Sequence, residues 1–189
     1  LGRLVLAAEI PQECCKIFQS GGVERVPGAH GGLENCNRAP VEILVGMGVA
    51  TVYPENYGAL LGAQRAAVPL AQVAEEQGFS PDLCSYARSH VGSVLEPQNA
   101  PQGGLPKPDL LVASNNICGT VIKWYQALAQ QLNVPFFLLD APYQHEPGLQ
   151  GHAEQYVAAQ LEDLIAWVTE HTGRKLNQRK FNEALKLSN

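Results

Sequence analysis

Two cysteine segments hold the residue types best placed to do chemistry. Cys118 stands in "SNNICGTVIKWYQ" (114–126), where an apolar run, "DLLVA" (109–113), passes through two asparagines and a cysteine into a helical pattern. Cys84 stands in "SPDLCSYARSHVGSVL" (80–95). That stretch reads as a helix with Ser80 as cap and Pro81 in its first position, so Cys84 falls in the first turn or two. A helix N-terminus favours a thiolate over a thiol, and the thiolate is the form that binds metal. The pair therefore suggests a two-thiolate site. The plain alternative is that each is a small buried hydrophobe, as most lone cysteines are. The residues alone leave both readings open.

The other candidates are weaker. Cys14 and Cys15 are neighbours, and neighbours on a helix point apart. Cys36 sits in a loop with no nearby base, and the chain has no C-x-x-C pair of the kind used by zinc ribbons or thioredoxin-type centres. Five cysteines without a secretory signal argue against a disulfide framework. His30, His90, His145 and His152 have no ligand-like spacing to the cysteines and read as structural or solvated. The glycine-rich "GGVERVPGAHGG" (21–32) lacks the G-K-[ST] ending of a phosphate loop and reads as a flexible connection.

Elements must position these residues. Residues 1–20 carry a weak helical pattern. From Pro40, an apolar stripe of Val41, Leu44, Val45 and Val49 predicts a helix that Gly48 can end. "VATVYP" (49–54) predicts a short strand, and a long helix follows over 57–77, broken or restarted at Pro69 and stopped by Gly78. "EPQNAPQGGLPKP" (96–108) is a loop. A strand (109–114), a helix (117–132) and a second strand within "VPFFLLDAP" (134–142) come next. "VPFFLLD" is apolar without alternation, as a strand buried on both faces of a parallel sheet requires. Amphipathic helices over 151–171 and from 177 complete the chain. The order gives an α/β domain with a parallel sheet, in which ligands sit outside the carboxyl ends of the strands. Cys118 falls there.

The bulk numbers exclude some classes. The chain has 189 residues, 46% hydrophobic and 16% charged, which is globular and enough for one domain with a core. A net charge of −5 argues against nucleic acid as a partner, which needs a basic face. No apolar run approaches the roughly 20 residues that cross a bilayer, and the default location is cytoplasmic. The chain opens on Leu1 rather than Met, as a piece of a longer protein would.

Taken together, "PVEILVGMGVATVYPENYGAL" (40–60), "DLCSYARSHVG" (82–92) and "KPDLLVASNNICGTVIKWYQALAQQLNVPFFLLDAPY" (107–143) resemble the benzoyl-CoA reductase / 2-hydroxyacyl-CoA dehydratase family. The resemblance runs in order from Pro40 to Tyr143 and continues loosely into the C-terminal helices. It implies a Rossmann-like or flavodoxin-like parallel sheet flanked by helices, within a subunit about twice this length. On that basis 1–39 is an N-terminal helical and loop segment and 40–175 an α/β cluster-binding domain. Residues 176–189 then begin a linker helix to a second α/β domain that this chain does not contain.

The resemblance further implies a [4Fe-4S] cluster between the two domains, held by three cysteines. Cys84 and Cys118 match two of them, and the third belongs to the second domain. The implied function is the iron–sulfur subunit of a CoA-thioester dehydratase or reductase. Low-potential electrons from an ATP-hydrolysing iron–sulfur activator would pass through the cluster to an acyl-CoA or aryl-CoA, giving ketyl radical chemistry. A homologous second subunit is an implied partner. Ser85, Asn115, Asn116 and Thr120 are candidates to hydrogen-bond cluster sulfur or substrate, and equally to be helix caps. Arg88 could meet cluster or phosphate charge, or a nearby carboxylate. Glu42 and Glu55 are candidates to face the substrate, or to be exposed carboxylates near helix ends. Two other readings stay open: a relative with a double-cubane cluster that reduces small molecules, and a non-catalytic α/β partner subunit.

Overall fold

The computed structural model describes residues 33–35, 39–143 and 151–188. The expected features at Cys14, Cys15, Cys36, His30, His145 and in the 1–20 helix lie outside those residues. Among the described residues, four strands form one sheet: β1 (Leu33–Asn35), β2 (Thr51–Val52), β3 (Leu110–Ser114) and β4 (Phe136–Leu139). All pairings are parallel, and the order is β2-β1-β3-β4. Seven α-helices accompany them among the described residues: α1 (Val41–Gly46), α2 (Pro54–Ala63), α3 (Ala67–Glu76), α4 (Ser85–Leu95), α5 (Gly119–Leu132), α6 (Gly151–Thr172) and α7 (Gln178–Ser188). The expected α/β architecture with a parallel sheet is therefore present. Because the strands are parallel, α1, α2 and α5, which follow β1, β2 and β3, all begin at the carboxyl edge.

β3 is the strand covered on both faces. Every residue from Leu110 to Ser114 is buried, and successive side chains point to opposite faces, so helices must cover both. The core gathers there, with Leu44 from α1, Tyr125 and Leu128 from α5, and Leu164 and Val168 from α6. The sequence pointed instead to "VPFFLLD" as the doubly buried strand. β4 is only partly covered, with Leu139 alone buried, because it ends the order of the described sheet. Phe137 packs on Trp167 of α6 with ring centroids 5.4 Å apart.

Three helices depart from local expectation. The long helix over 57–77 is two helices, and the break falls at Gln64–Ala66, with Arg65 in the left-handed region at φ 59°. Pro69 sits in the first turn of α3, where its missing N–H leaves no intrahelical bond unmade. In α1 the buried residues are Ile43, Leu44 and Gly46, while Val45 is 41% exposed. Gly48 and Gly78, at φ 68° and 93°, adopt the left-handed turns that follow α1 and α3, as expected of helix stops. The third departure concerns Cys84 and is taken up with the site.

Two close approaches tie helices together through glycine. A Cβ on Gly46 would stand 2.9 Å from both Leu176 and Phe181, so α1 and α7 pack backbone to side chain. The Asn177 N–H donates to the Gly46 carbonyl at 2.9 Å, which fixes the start of α7 on α1. Gly92 of α4 approaches α3 more closely still, since a Cβ there would fall 1.8 Å from the Leu70 carbonyl oxygen. No helix among the described residues is long and apolar enough to cross a membrane.

Candidate functional site

The helix that carries Cys84 starts later than its sequence suggests. Ser80 closes a turn of its own: its Oγ accepts from the Asp82 N–H at 3.2 Å, and its carbonyl accepts from the Leu83 N–H at 3.1 Å. The chain then leaves helical geometry at Cys84 (φ −48°, ψ 130°), and α4 begins at Ser85. The expected Ser80 cap is thus corrected, and Cys84 takes the cap position itself. Cys118 does the same for α5 (φ −70°, ψ 144°). Neither side chain is spent on a capping bond, and both thiols are free and exposed. That placement excludes the buried-hydrophobe reading for both.

The two helix starts border one groove of about 350 Å³. Leu83, Ala87, Arg88 and Val91 line it from the α4 side, and Gly119, Thr120, Lys123 and Trp124 from α5. Since α5 begins at the carboxyl end of β3, the shared groove brings the start of α4 to the same edge of the sheet. Leu83 and Gly119, the chain neighbours of Cys84 and Cys118, line the groove together, although neither cysteine does; that juxtaposition is tertiary, as 34 positions separate the two cysteines in sequence.

The remaining candidates divide. Arg88 and Thr120 line the groove, and Ser85 is exposed as the first residue of α4. Arg88 has a carboxylate partner, Glu75 of α3, and its Nε also donates to the Leu83 carbonyl at 2.9 Å. Asn115 and Asn116 spend their side chains on the turn before Cys118. Asn115 Nδ2 donates to Asp140, and its Oδ1 accepts from the Ala141 N–H at 2.6 Å. Asn116 Oδ1 accepts from the Ser114 hydroxyl at 2.8 Å. Glu55 lies one turn before Gly58 on the same face of α2. A Cβ on Gly58 would stand 3.0 Å from Tyr86, so that face of α2 packs on α4; Glu55 Oε1 is closed to solvent, and Glu55 does not line the groove. Glu42, in the first turn of α1, shares the carboxyl edge but does not line the groove.

His90 and His152 resolve differently. His152 is exposed on α6. His90 is fully buried beneath the groove, where Trp124 Nε1 donates to its Nδ1 at 3.2 Å. It is structural, as its spacing suggested. Burial lowers its pKa from 6.5 to about 3. Between those values the unfolded chain takes up a proton that the folded chain refuses. The stability this contributes is complete above pH 6.5 and falls toward pH 3, by up to about 1.4 kcal/mol per pH unit. Urea unfolding at pH 7 and 4.5 should show a steeper loss in the native protein than in His90→Gln, carboxylates being common to both. Equal losses would exclude a buried neutral imidazole.

Sequence reasoning passed over Trp124 and Lys123 as groove residues, and Asp140 altogether. Asp140 had one legible signal, a lone carboxylate closing the apolar run "FFLL". Among the described residues, no group of three or more His, Cys, Asp or Glu could hold a metal ion. The donor chemistry fits an iron–sulfur cluster as a partial set: two accessible thiols, both at helix starts, with backbone N–H groups directed outward there.

Fold and site together define a parallel α/β domain that presents a pair of thiols at two helix starts on the carboxyl edge of its sheet. The chain belongs to the family described as 2-hydroxyglutaryl-CoA dehydratase, D-component, whose pattern matches residues 36–189. It is 38% identical over 149 residues to the (R)-phenyllactyl-CoA dehydratase alpha subunit of Clostridium sporogenes, covering 79% of this chain and 36% of that one. Similarity to the lactoyl-CoA dehydratase subunit alpha of Anaerotignum propionicum is 35% over 158 residues, covering 77% and 37%. A benzoyl-CoA reductase subunit of Thauera aromatica is 28% identical over 149 residues, covering 78% and 34%. The chain thus spans little more than a third of the length of these curated relatives.

Proposed function

We propose that this chain is the cluster-binding part of an iron–sulfur subunit of a CoA-thioester dehydratase or reductase. Cys84 and Cys118 supply two of three thiolate ligands to a [4Fe-4S] cluster, and a second α/β domain supplies the third. The observation that carries this reading is that two exposed, uncommitted thiols stand at helix starts, each next in the chain to a residue, Leu83 or Gly119, that lines one groove. The family match, which spans both cysteine segments, supports it. The proposed domain, 40–175 by the resemblance, has to extend back to take in β1 at Leu33–Asn35, which lies between β2 and β3, and 176–189 opens the connection to the second domain. The strand order β2-β1-β3-β4 supports a flavodoxin-like sheet, whose order begins the same way.

When bound, such a cluster supplies an electron at low potential, delivered by an ATP-hydrolysing activator, to the carbonyl of an acyl-CoA or aryl-CoA. The chain's own residues have narrower tasks. Cys84 and Cys118 hold the group at one edge of the sheet. Arg88, fixed by Glu75 and the Leu83 carbonyl, keeps a positive charge in the groove wall one turn from Cys84. Thr120 offers a hydroxyl from the first turn of α5, and Ser85 another from α4. Glu55 is the better placed of the two carboxylates to take a proton from a bound thioester, since its face of α2 meets α4. Glu42 serves on the same edge from α1. The relatives' subunit names support a homologous partner subunit.

The test is analytical and anaerobic. Full-length protein purified without oxygen should contain about four irons and four sulfides per subunit, with a cluster EPR signal after reduction. An iron-free anaerobic preparation that remains folded would overturn the reading. Turnover with candidate thioesters, activator and ATP then separates dehydratase from ring reductase.

A further inference from the structure

The turn that presents Cys118 is unusually well tied. Asn115, the first residue after β3, adds a rung to the sheet by donating its N–H to the Leu139 carbonyl at 3.1 Å. Its side chain donates to the Asp140 carboxylate and accepts from the Ala141 N–H. Asn116 is folded back on Ser114, which is completely buried. Only Ile117 separates these tied residues from the cap of α5.

Asp140 is itself held from a different element. Tyr156 of α6 donates its hydroxyl to Asp140 Oδ2 at 2.8 Å. Gln160, one turn further along the same face, accepts from the Asp140 N–H at 2.7 Å and donates to its carbonyl. Oδ1 remains for Asn115. The carboxylate is thus aimed by α6 and spends its two oxygens on one residue of that helix and one of the Cys118 turn.

We propose that Asp140, gripped by Tyr156 and Gln160, is a positioning residue that latches Asn115 and so sets where the Cys118 thiol stands. α6 thereby determines the geometry of a thiol it does not touch. The latch stands on hydrogen bonds alone, whereas its importance for a cluster rests on the function proposed above.

The chemistry of the pair permits a donor–acceptor swap. Asn115→Asp sets two carboxylates against each other and opens the latch. Asn115→Asp with Asp140→Asn rebuilds it: the new amide donates to the new carboxylate, which still accepts from Ala141, and Tyr156 donates to the amide oxygen. Hydrogen exchange on the full-length, iron-stripped protein reads this directly. Amides of 114–118 and Ala141 should exchange about tenfold faster in Asn115→Asp and in the milder Asn115→Ala. The swap should restore the native rate, with residues 85–95 unchanged throughout. Unaltered exchange in both single variants, or a swap no better than Asn115→Asp alone, would overturn the latch. So would faster exchange over 85–95 as well, since that is general destabilisation. Because the readout needs no iron, its failure is separate from failure of the cluster reading.

Discussion

Alanine at Gly92 is expected to cost the domain about 3 kcal/mol or more, a large share of the roughly 5–15 kcal/mol that holds a typical domain together. The methyl group would occupy a point 1.8 Å from the Leu70 carbonyl oxygen, with the Leu70 carbonyl carbon at 2.6 Å. These are backbone atoms of α3, so no side chain can swing aside, and α3 and α4 would have to separate. That separation would uncover Leu70 and Ala74, which are 1% and 0% exposed. It would also disturb the Arg88–Glu75 pair that joins the same two helices. The matched control is Gly62→Ala near the end of α2, where nothing lies within 4 Å of the added Cβ. There the lower backbone entropy of alanine should leave stability equal or raised by about 0.5–1 kcal/mol. Chemical denaturation of both variants measures the contrast. A Gly92→Ala midpoint equal to the native one would show that α3 and α4 do not pack this closely.

Cys84→Ala and Cys118→Ala should each deprive the full-length protein of most of its iron while leaving its unfolding midpoint nearly unchanged. The two halves of that expectation have separate causes. Each thiol is exposed and makes no capping bond, so its loss opens no cavity and removes no cap; the stability change should stay within about 0.5 kcal/mol. A cluster reduced to two thiolate ligands, by contrast, loses much of its coordination energy and becomes labile. Iron, sulfide and EPR intensity, measured anaerobically beside a denaturation curve, test both halves. Iron retained in both variants would remove these residues from the ligand set. Iron lost only together with the fold would make the thiols structural.

Much of the architecture was legible locally. From Pro40 on, the order of strands and helices, the glycine stops after α1 and α3, and the strand-turn-helix around Cys118 follow from periodicity and turn chemistry, which act over a few residues. β1 was missed: the sequence reads as helix and loop over 1–39, because three residues are too short to show a period and the strand is defined by its pairing with β2 and β3. The errors came where a second element decides. "SPD" has the residues of a helix start, yet it closes a separate turn, and α4 begins four residues later than Pro81. "VPFFLLD" has the composition of a central strand, but β4 ends the described sheet, and coverage depends on neighbours that composition does not name. His90 carries no sequence sign of its burial, because what covers it comes from α2 and α5, through Tyr57 and Trp124.

The sequence by itself determined that this is a parallel α/β chain with cysteines at helix starts, and its motifs determined the family, because both are written in short runs of residues. Only the tertiary structure decided that the starts of α4 and α5, next to Cys84 and Cys118, line the same groove, that the Gly58 face of α2 packs on α4, and that Asp140 reaches the Cys118 turn. Those facts depend on which helix faces pack together. That choice is made by shape and burial summed over distant segments, such as Gly92 on Leu70 and Gly58 on Tyr86, and no local pattern contains it.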